Sequence, residues 1–374
     1  SILRCGGLRS GLYASPHVVE LRERVVIDGR PVSRAALGAA FEQLERTLEA
    51  TGAEAGECTF FELMTAVALH CFAQARVDVS VLEVGLGGRL DATNVVEPCV
   101  TVITAIGLEH RDKLGDTHAD IAGEKAGILK PGIPCVVGRL PAAAELVVRE
   151  RAGQLGARLL IAPDEVRCEG VRVARAATEA TIVTPTRRLE HVRVPLLGEH
   201  MAWNAALAVA SADLLMDHMG GSPLPDEVVV EGLAQVVLSG RFEIYDQHPT
   251  ILLDAAHSPD AMAALRRTFE AVFCGRTAVV ILGVLMDKDL AGVLAPLEGI
   301  ARLVVTSPCG SPRERPPREI AEGCRALGFE ARVAASPREA LAIARCVARA
   351  QDDVILGCGS TYLVGRLKRD LDEQ

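Results

Sequence analysis

The sequence VDVSVLEVGLGGRLDATN, at residues 77–94, joins an apolar run to a glycine-rich turn. The run at 77–84 is rich in Val and Leu and predicts a buried β-strand. Ligand sites in open α/β sheets lie beyond the carboxyl ends of the strands, where Glu83 stands. We therefore expect Glu83 to be an oxygen ligand of Mg²⁺, although a solvated carboxylate would suit the same position. The turn is not a dinucleotide fingerprint, because Leu90 occupies the place of its third glycine.

Two other strand ends and one helix carry groups that could join Glu83. A second buried strand is predicted at 99–106 and leads to His110, and a short strand near 11–13 leads to Ser15. Lys125 lies on a helix predicted at 117–129, which starts after Asp116. Taken singly, a structural histidine, a simple turn and a surface lysine are the better explanations of these residues. Together they favour a site that gathers anions.

The composition limits the number of domains, the kinds of partner and the compartment that the chain can have. A chain of 374 residues, 49% of them hydrophobic, predicts two domains. The net charge of −9 argues against a nucleic-acid partner. No apolar run approaches the roughly 18 residues of a membrane span. The eleven cysteines are scattered without CxxC spacing, which argues against a disulfide framework or zinc site and favours a reducing cytoplasm.

The second half of the chain alternates strands and helices, which predicts a mostly parallel sheet with helices on both faces. Strands are predicted near 250–254, 277–283, 302–306, 329–334 and 353–357, and helices near 259–272, 288–297, 315–326, 337–350 and 361–371. Asp254 and His257 follow the first of these strands. Ser258 with Pro259 forms a helix N-cap signal at the same place, so the loop has a purely structural explanation as well.

The first half has a less regular pattern. A capping box, Thr59 with Glu62, begins one of its helices. The predicted elements are helices at about 33–51, 60–75, 204–216 and 226–237, a strand at 133–137, and β-like runs over 156–195.

Four motifs carry a family resemblance over nearly the whole chain. They are GLYASPH at 11–17, LEVGLGGRLDATN at 82–94, EKAGILKPG at 124–132 and LDAAHSP at 253–259. In this order they resemble folylpolyglutamate synthase and dihydrofolate synthase, within the Mur ligase family. The resemblance implies an α/β fold with a Mur-ligase-like central nucleotide-binding domain at 1–240 and a Rossmann-like C-terminal domain at 241–374.

The resemblance also implies an activity, the ATP-dependent ligation of L-glutamate to a folate or dihydropteroate carboxylate through an acyl phosphate. Ser15, Glu83 and His110 would contact Mg²⁺. Lys125 matches a lysine that is often carbamylated in the family, and with His110 it would take part in catalysis. We expect a monomer with small-molecule substrates and neither a nucleic-acid nor a membrane partner.

Further positions match the family's substrate contacts. The residues expected at ATP, between the two domains, are Asn204, Arg241, Asp254 and His257. The pterin-bearing substrate would lie near residues 15–24 and 59–62.

The chain departs from the family pattern in one major respect. It contains no Walker-type loop, which the family carries shortly before the position of Ser1. We therefore expect the sequence to begin after the first strand and the P-loop, and to be impaired as given. A catalytically inactive Mur-ligase-like binding protein and a ligase acting on another acid remain alternatives. Smaller departures are Met201, Glu109, Ala255 and Ser258.

Overall fold

The computed structural model of the protein describes residues 1–52, 55–245, 248–348 and 353–373. The chain falls into two units. The first unit comprises Ser1–Val171, Glu179–Val194 and Ala202–Val236. The second unit comprises Arg172–Thr178, Pro195–Met201 and Val237–Gln374.

The strands in chain order are β1 Ser10–Tyr13, β2 Val25–Ile27, β3 Arg30–Pro31, β4 Val79–Leu82, β5 Thr101–Ile103, β6 Cys135–Val137, β7 Leu159–Ile161, β8 Arg167–Val173, β9 Thr178–Val183, β10 Arg188–Val194, β11 Glu243–Tyr245, β12 Thr250–Leu253, β13 Ala278–Leu282, β14 Ala301–Thr306, β15 Ala331–Val333 and β16 Val354–Cys358.

The α-helices are α1 Ile2–Cys5, α2 Arg34–Thr51, α3 Phe60–Ala75, α4 Arg111–Leu114, α5 His118–Lys125, α6 Ala142–Leu155, α7 Glu199–His218, α8 Asp226–Ala234, α9 Pro259–Val272, α10 Leu290–Leu294, α11 Pro317–Ala326, α12 Pro337–Val347 and α13 Thr361–Asp372.

The first sheet of the first unit has the strand order β3-β2-β1-β4. Strands β1 and β4 run parallel, with Tyr13 opposite Leu82, and their carboxyl ends therefore meet at one edge. Tyr13 packs with Met64 and Phe72 of α3 in the core beneath this sheet. The strand predicted at 77–84 is confirmed as β4, but its predicted burial was wrong. Strand β4 is shorter and lies at the edge of its sheet, so that Val81 is 48% exposed.

The second sheet, β5-β6-β7, is parallel throughout. Its core is shared with α5 and α6. The strand predicted as buried at 99–106 is again an edge strand. It spans only Thr101–Ile103 and leaves Val102 37% exposed. Strands β8 to β10 form a third sheet, which confirms the β-like character of residues 156–195.

Local signals account for most helix ends in this unit. The capping box of α3 is confirmed, since the Thr59 amide donates to Glu62 Oε2 at 2.7 Å and the Glu62 amide to Thr59 Oγ1 at 3.2 Å. The helix expected after Asp116 instead begins after Thr117, because a second capping box forms between Thr117 and Asp120. This helix, α5, ends at Lys125 and continues as a 3₁₀ turn.

Helix α6 was missed by the sequence prediction. Pro141 precedes it, and Gly156, in the left-handed conformation at φ 61°, terminates it. A proline at the start and a glycine just past the end are known helix boundary signals, so the sequence did contain evidence for this helix.

The second unit contains one six-stranded sheet of order β11-β12-β16-β13-β14-β15. All neighbouring pairs are parallel except β11 with β12. The alternation predicted from residue 248 onward is confirmed, including the span of α9 with Ser258 as its N-cap. The predicted helix at 337–350 extends in part beyond the described residues. The antiparallel edge strand β11 was not predicted.

None of the helices in the described part of the chain is long and apolar enough to cross a membrane.

Candidate active site

Ser15 and Glu83 lie side by side at the carboxyl ends of β1 and β4. The Ser15 backbone amide donates a 2.8 Å hydrogen bond to Glu83 Oε2. The Glu83 amide continues the parallel pairing by donating to the Tyr13 carbonyl at 2.9 Å. The sheet therefore brings together two of the residues that the sequence predicted as metal ligands, and it orients one carboxylate oxygen.

Asp91 organises the glycine-rich turn that follows Glu83. Its Oδ2 accepts hydrogen bonds from the amides of Gly85 at 3.0 Å and Leu86 at 2.9 Å. Its Oδ1 accepts one from the Thr93 amide at 2.9 Å. Because one carboxylate binds three amides of the turn, Asp91 is a structural centre of the motif, a role that the sequence analysis did not assign.

The turn packs directly against α5. A Cβ on Gly127 would stand 2.3 Å from Arg89 Cβ, and one on Gly88 would stand 2.8 Å from the Glu124 carbonyl oxygen. The Arg89 amide donates to that carbonyl at 2.8 Å, and its guanidinium pairs with the Glu124 carboxylate at 2.9 Å. Backbone contact at this distance requires glycine on both sides. It also fixes the next helical residue, Lys125, beside the turn.

Lys125 lies within electrostatic reach of two loops. Burial lowers the pKa of its amine below the ordinary value, and the charges of Glu109 and Asp91 partly oppose this. The lysine thus lies near both the turn that follows Glu83 and the residue that precedes His110. A lowered pKa increases the neutral fraction of the amine, which is the form that reacts with CO₂.

His110 adopts the left-handed conformation, with φ 53°, at the start of α4. Its carbonyl accepts hydrogen bonds from the amides of Lys113 and Leu114, both at 2.9 Å, and these hold the loop in place. A non-glycine residue in this conformation costs on the order of 1–3 kcal/mol, and such residues cluster at functional sites. The strain occurs at a residue that the sequence singled out for chemistry.

The donor set suits Mg²⁺. The three residues predicted as ligands, Ser15, Glu83 and His110, offer a hydroxyl, a carboxylate and an imidazole; the hydrogen bond described above joins the first two. Within the described ranges, no three His, Cys, Asp or Glu side chains gather into a metal-binding group. Mg²⁺ is commonly held by one or two carboxylates together with waters and substrate phosphates, so it does not need such a group.

A second cluster lies in the second unit, around Asp254. Its Oδ2 accepts from the Phe242 amide at 2.8 Å and its Oδ1 from the Ala256 amide at 2.7 Å. Burial raises the pKa of Asp254, while the Ala256 amide and the charges of Arg241 and His257 oppose the rise. Three of the residues predicted at ATP, Arg241, Asp254 and His257, therefore lie close together. The fourth, Asn204, is exposed on α7 in the first unit.

His200 belongs to the same cluster and was not assigned from the sequence. Burial lowers the pKa of its imidazole, and the charges of Arg267 and Arg241 lower it further. Gly198, at φ 125°, makes room for the ring, because a Cβ there would stand 2.5 Å from His200 Cε1. The one feature of the sequence that could have pointed to His200 is Gly198, which lies two residues before it at the start of a helix.

Both units match families of known proteins. Residues 35–212 match the Mur ligase middle domain, and residues 240–361 match the Mur ligase glutamate ligase domain. A Haloferax volcanii protein, a probable bifunctional folylpolyglutamate synthase/dihydropteroate synthase, is 36% identical over 98% of this chain. The chain spans only 43% of the length of that relative.

Two further relatives are covered over most of their length. The dihydrofolate synthase/folylpolyglutamate synthase of Escherichia coli is 33% identical over 100% of this chain and 82% of its own. The crystal structure of Mycobacterium tuberculosis folylpolyglutamate synthase complexed with ADP and AMPPCP superposes with a TM-score of 0.92 at 33% identity, over 100% of this chain and 87% of that one. The chain therefore belongs to the family of folylpolyglutamate and dihydrofolate synthases, within the Mur ligases.

Proposed function

We propose that the protein ligates L-glutamate to the carboxylate of a folate or dihydropteroate at the expense of ATP. A substrate carboxylate oxygen attacks the γ-phosphorus, and ADP leaves as an acyl phosphate forms. The glutamate amine then attacks the acyl carbon, loses a proton, and displaces inorganic phosphate as the amide forms. The observation that carries this proposal is the Ser15–Glu83 contact, with Lys125 held against the same turn.

The residues of the first unit gather the anions. Ser15, Glu83 and His110 would hold Mg²⁺, which when bound offsets the negative charge of the phosphates. Lys125 has two ways to act: as an ammonium group it attracts the phosphates, and as a carbamate it supplies an anion that orients the cation. The lowered pKa of Lys125 favours the second, because carbamylation requires the neutral amine.

The second unit supplies nucleotide contacts in this proposal. Arg241 and His257 are the groups of this unit that would bind ATP. Both oxygens of Asp254 already accept backbone amides, so its role is to hold the loops that carry Arg241 and His257. His200, beside Arg241, is a further candidate contact.

An exposed aromatic ring supports a pterin site in the first unit. Phe60 is 56% exposed, and the Arg24 guanidinium lies 5.3 Å from the centre of its ring. A planar heterocycle can stack on such a ring, with the cation beside it. Both residues fall in the segments expected to hold the pterin-bearing substrate.

We also propose a boundary between the two functional domains and a cellular compartment for the protein. The boundary between the two functional domains lies at 240/241, where the match to the glutamate ligase domain begins. The protein acts in the cytoplasm, as its cysteines indicate: those in the described residues are all free thiols.

The decisive experiment measures phosphate release and glutamate incorporation with ATP, L-glutamate and either dihydropteroate or tetrahydrofolate. It compares the 374-residue chain with a P-loop-extended chain, in which the strand and Walker-type loop of the family pattern precede Ser1. We expect little turnover from the first, whose sequence has no Walker-type loop, and glutamate-dependent turnover from the second.

The Glu83→Gln variant of the extended chain is the control, and its turnover should fall at least a hundredfold. An extended chain that stays inert with both pterin substrates would overturn the proposal in favour of a catalytically inactive binding protein. Turnover with a different acid alone would assign a different ligase activity.

A further inference from the structure

Arg241 stands between two anchored neighbours. On one side, the Gly240 amide donates to Glu243 Oε2 at 2.9 Å, and the Gly240 carbonyl accepts from the Ala255 amide at 2.8 Å. On the other side, the Phe242 amide donates to Asp254 at 2.8 Å. The backbone on both sides of the exposed guanidinium is therefore held by a carboxylate.

The conformation of this segment requires such anchoring. Gly240 has φ 66° and Phe242 has φ 46°, so two residues in the left-handed region flank Arg241. This conformation is unfavourable for phenylalanine and persists only when surrounding contacts impose it. Burial of the Phe242 ring, 6.3 Å from the ring of Phe273, is one such contact.

A second contact connects this segment, through Glu243, to helix α13. Lys368 Nζ pairs with Glu243 Oε1 and donates a 2.9 Å hydrogen bond to the Tyr245 hydroxyl. The Tyr245 hydroxyl in turn donates to Glu243 Oε1 at 3.2 Å. Both charges of the pair are largely shielded, since the Lys368 side chain is 18% exposed and that of Glu243 is 27% exposed.

The charges of this pair depend on each other. Burial alone raises the pKa of Glu243, but hydrogen bonds from Lys368 and Gly240 outweigh it and lower the pKa below the ordinary value. Burial alone lowers the pKa of Lys368, but hydrogen bonds to Glu243 and Tyr245 outweigh it and raise that pKa. Without the lysine, Glu243 would keep hydrogen bonds from Ser239, Gly240 and Tyr245 but would be a shielded carboxylate without a counter-charge. We expect it to turn toward water and to release the Gly240 amide.

We propose that Lys368 and Glu243 are positioning residues for Arg241, through which helix α13 sets the affinity for the nucleotide. Lys368 itself touches no substrate in this scheme. The naming of the nucleotide rests on the proposed function, whereas the anchoring of the loop does not. If the Lys368–Glu243 pair were only structural, its loss would destabilise the second unit as a whole. Because it positions Arg241, its loss disorders the segment around Arg241 specifically.

The test compares three variants of the 374-residue chain with the unaltered protein. Lys368→Met keeps the apolar stem and removes the charge, and Lys368→Arg restores it. Arg266→Met is the matched control, because it removes the Arg266–Glu270 ion pair of α9, at 2.9 Å in the same unit. Two quantities are measured: hydrogen exchange of the Gly240 and Phe242 amides, and the dissociation constant for ADP by calorimetry.

We expect Lys368→Met to speed exchange of these two amides about tenfold and to weaken ADP binding about tenfold, while exchange in β13 and β16 stays unchanged. Lys368→Arg should recover most of both effects, and Arg266→Met should change neither. Uniformly faster exchange throughout the second unit, or unchanged exchange at Gly240 and Phe242, would overturn the positioning role. If the unaltered 374-residue chain does not bind ADP, the calorimetry is repeated with the P-loop-extended chain and its Lys368→Met variant. Failure of the extended chain to bind ADP while the exchange effects occur would leave the loop anchoring standing and remove the nucleotide assignment.

Discussion

The Ser15 backbone amide donates a 2.8 Å hydrogen bond to the Glu83 carboxylate across 68 residues of sequence. Parallel pairing of β1 with β4 makes this contact possible, since the two strands end at the same edge. The contact places the Ser15 side chain beside the Glu83 carboxylate, so two of the three predicted metal ligands are neighbours. That they hold a cation stays a prediction.

Gly127→Ala should destabilise the first unit by about 1–3 kcal/mol, because the new Cβ would stand 2.3 Å from Arg89 Cβ and 2.4 Å from its Cα. Relief requires moving the glycine turn away from α5, so ligation by the P-loop-extended chain should fall as well. Urea unfolding measures the first effect and phosphate release the second. Gly123→Ala, in α5 just before the 3₁₀ turn that contains Gly127, is the matched control: its Cβ meets no atom within 4 Å, and it should be neutral or stabilising. Equal effects of the two substitutions would contradict the packing argument.

Lys125 should carry a carbamate in the presence of bicarbonate, because burial lowers the pKa of its amine. In ¹³C-bicarbonate, the protein should show a carbamate carbon resonance that disappears in Lys125→Met. The exposed Lys113→Met variant should retain it. A resonance that persists in Lys125→Met would place the modification elsewhere.

Phe60→Ala should raise the KM for the pterin substrate about fivefold, corresponding to loss of a stacking contact of about 1 kcal/mol. The ring is 56% exposed, so the free energy of unfolding should change little. Phe60→Tyr keeps the aromatic face and should retain the KM. Steady-state kinetics of the P-loop-extended chain decide the matter, and an unchanged KM in Phe60→Ala would exclude this ring from the substrate site.

The Glu243–Lys368 pair should make stability depend on acid pH. The folded-state pKa of Glu243 lies below its ordinary value of 4.5, so the stabilisation is present above pH 4.5 and is lost as the pH falls through the lower folded value. Unfolding free energies of the native protein and Glu243→Gln should therefore converge below pH 4.5. A difference that stays constant from pH 7 to pH 3 would show that the charge of Glu243 is not what stabilises the fold.

The successful predictions rested on local signals, although the local boundary signals of α6 were overlooked. The alternation after residue 248 predicted the strands and helices of the second unit, because buried parallel strands and amphipathic helices differ in length and period. The capping box at Thr59 and the N-cap at Ser258 were visible for the same reason, since their partners lie three residues away. The family resemblance rested on contiguous motifs of this kind.

Sequence reasoning failed where the position of a strand within its sheet decides how far the strand is buried. Strands β4 and β5 have the composition of buried strands, yet each lies at an edge, which leaves Val81 and Val102 partly exposed. An edge is defined by which other strands pair, and no window of residues contains that information.

The sequence by itself therefore determined the βα order of the second unit and which side chains follow the strand ends; that these side chains form a site stays a prediction. The burial and the electrostatic surroundings of the predicted site residues arise only in the tertiary structure. Burial and the charges of Glu109 and Asp91 set the pKa of Lys125, and a lysine 125 residues away holds Glu243 beside Arg241. Desolvation and electrostatic interaction depend on distance in space, and distance in space is decided by packing between elements far apart in sequence.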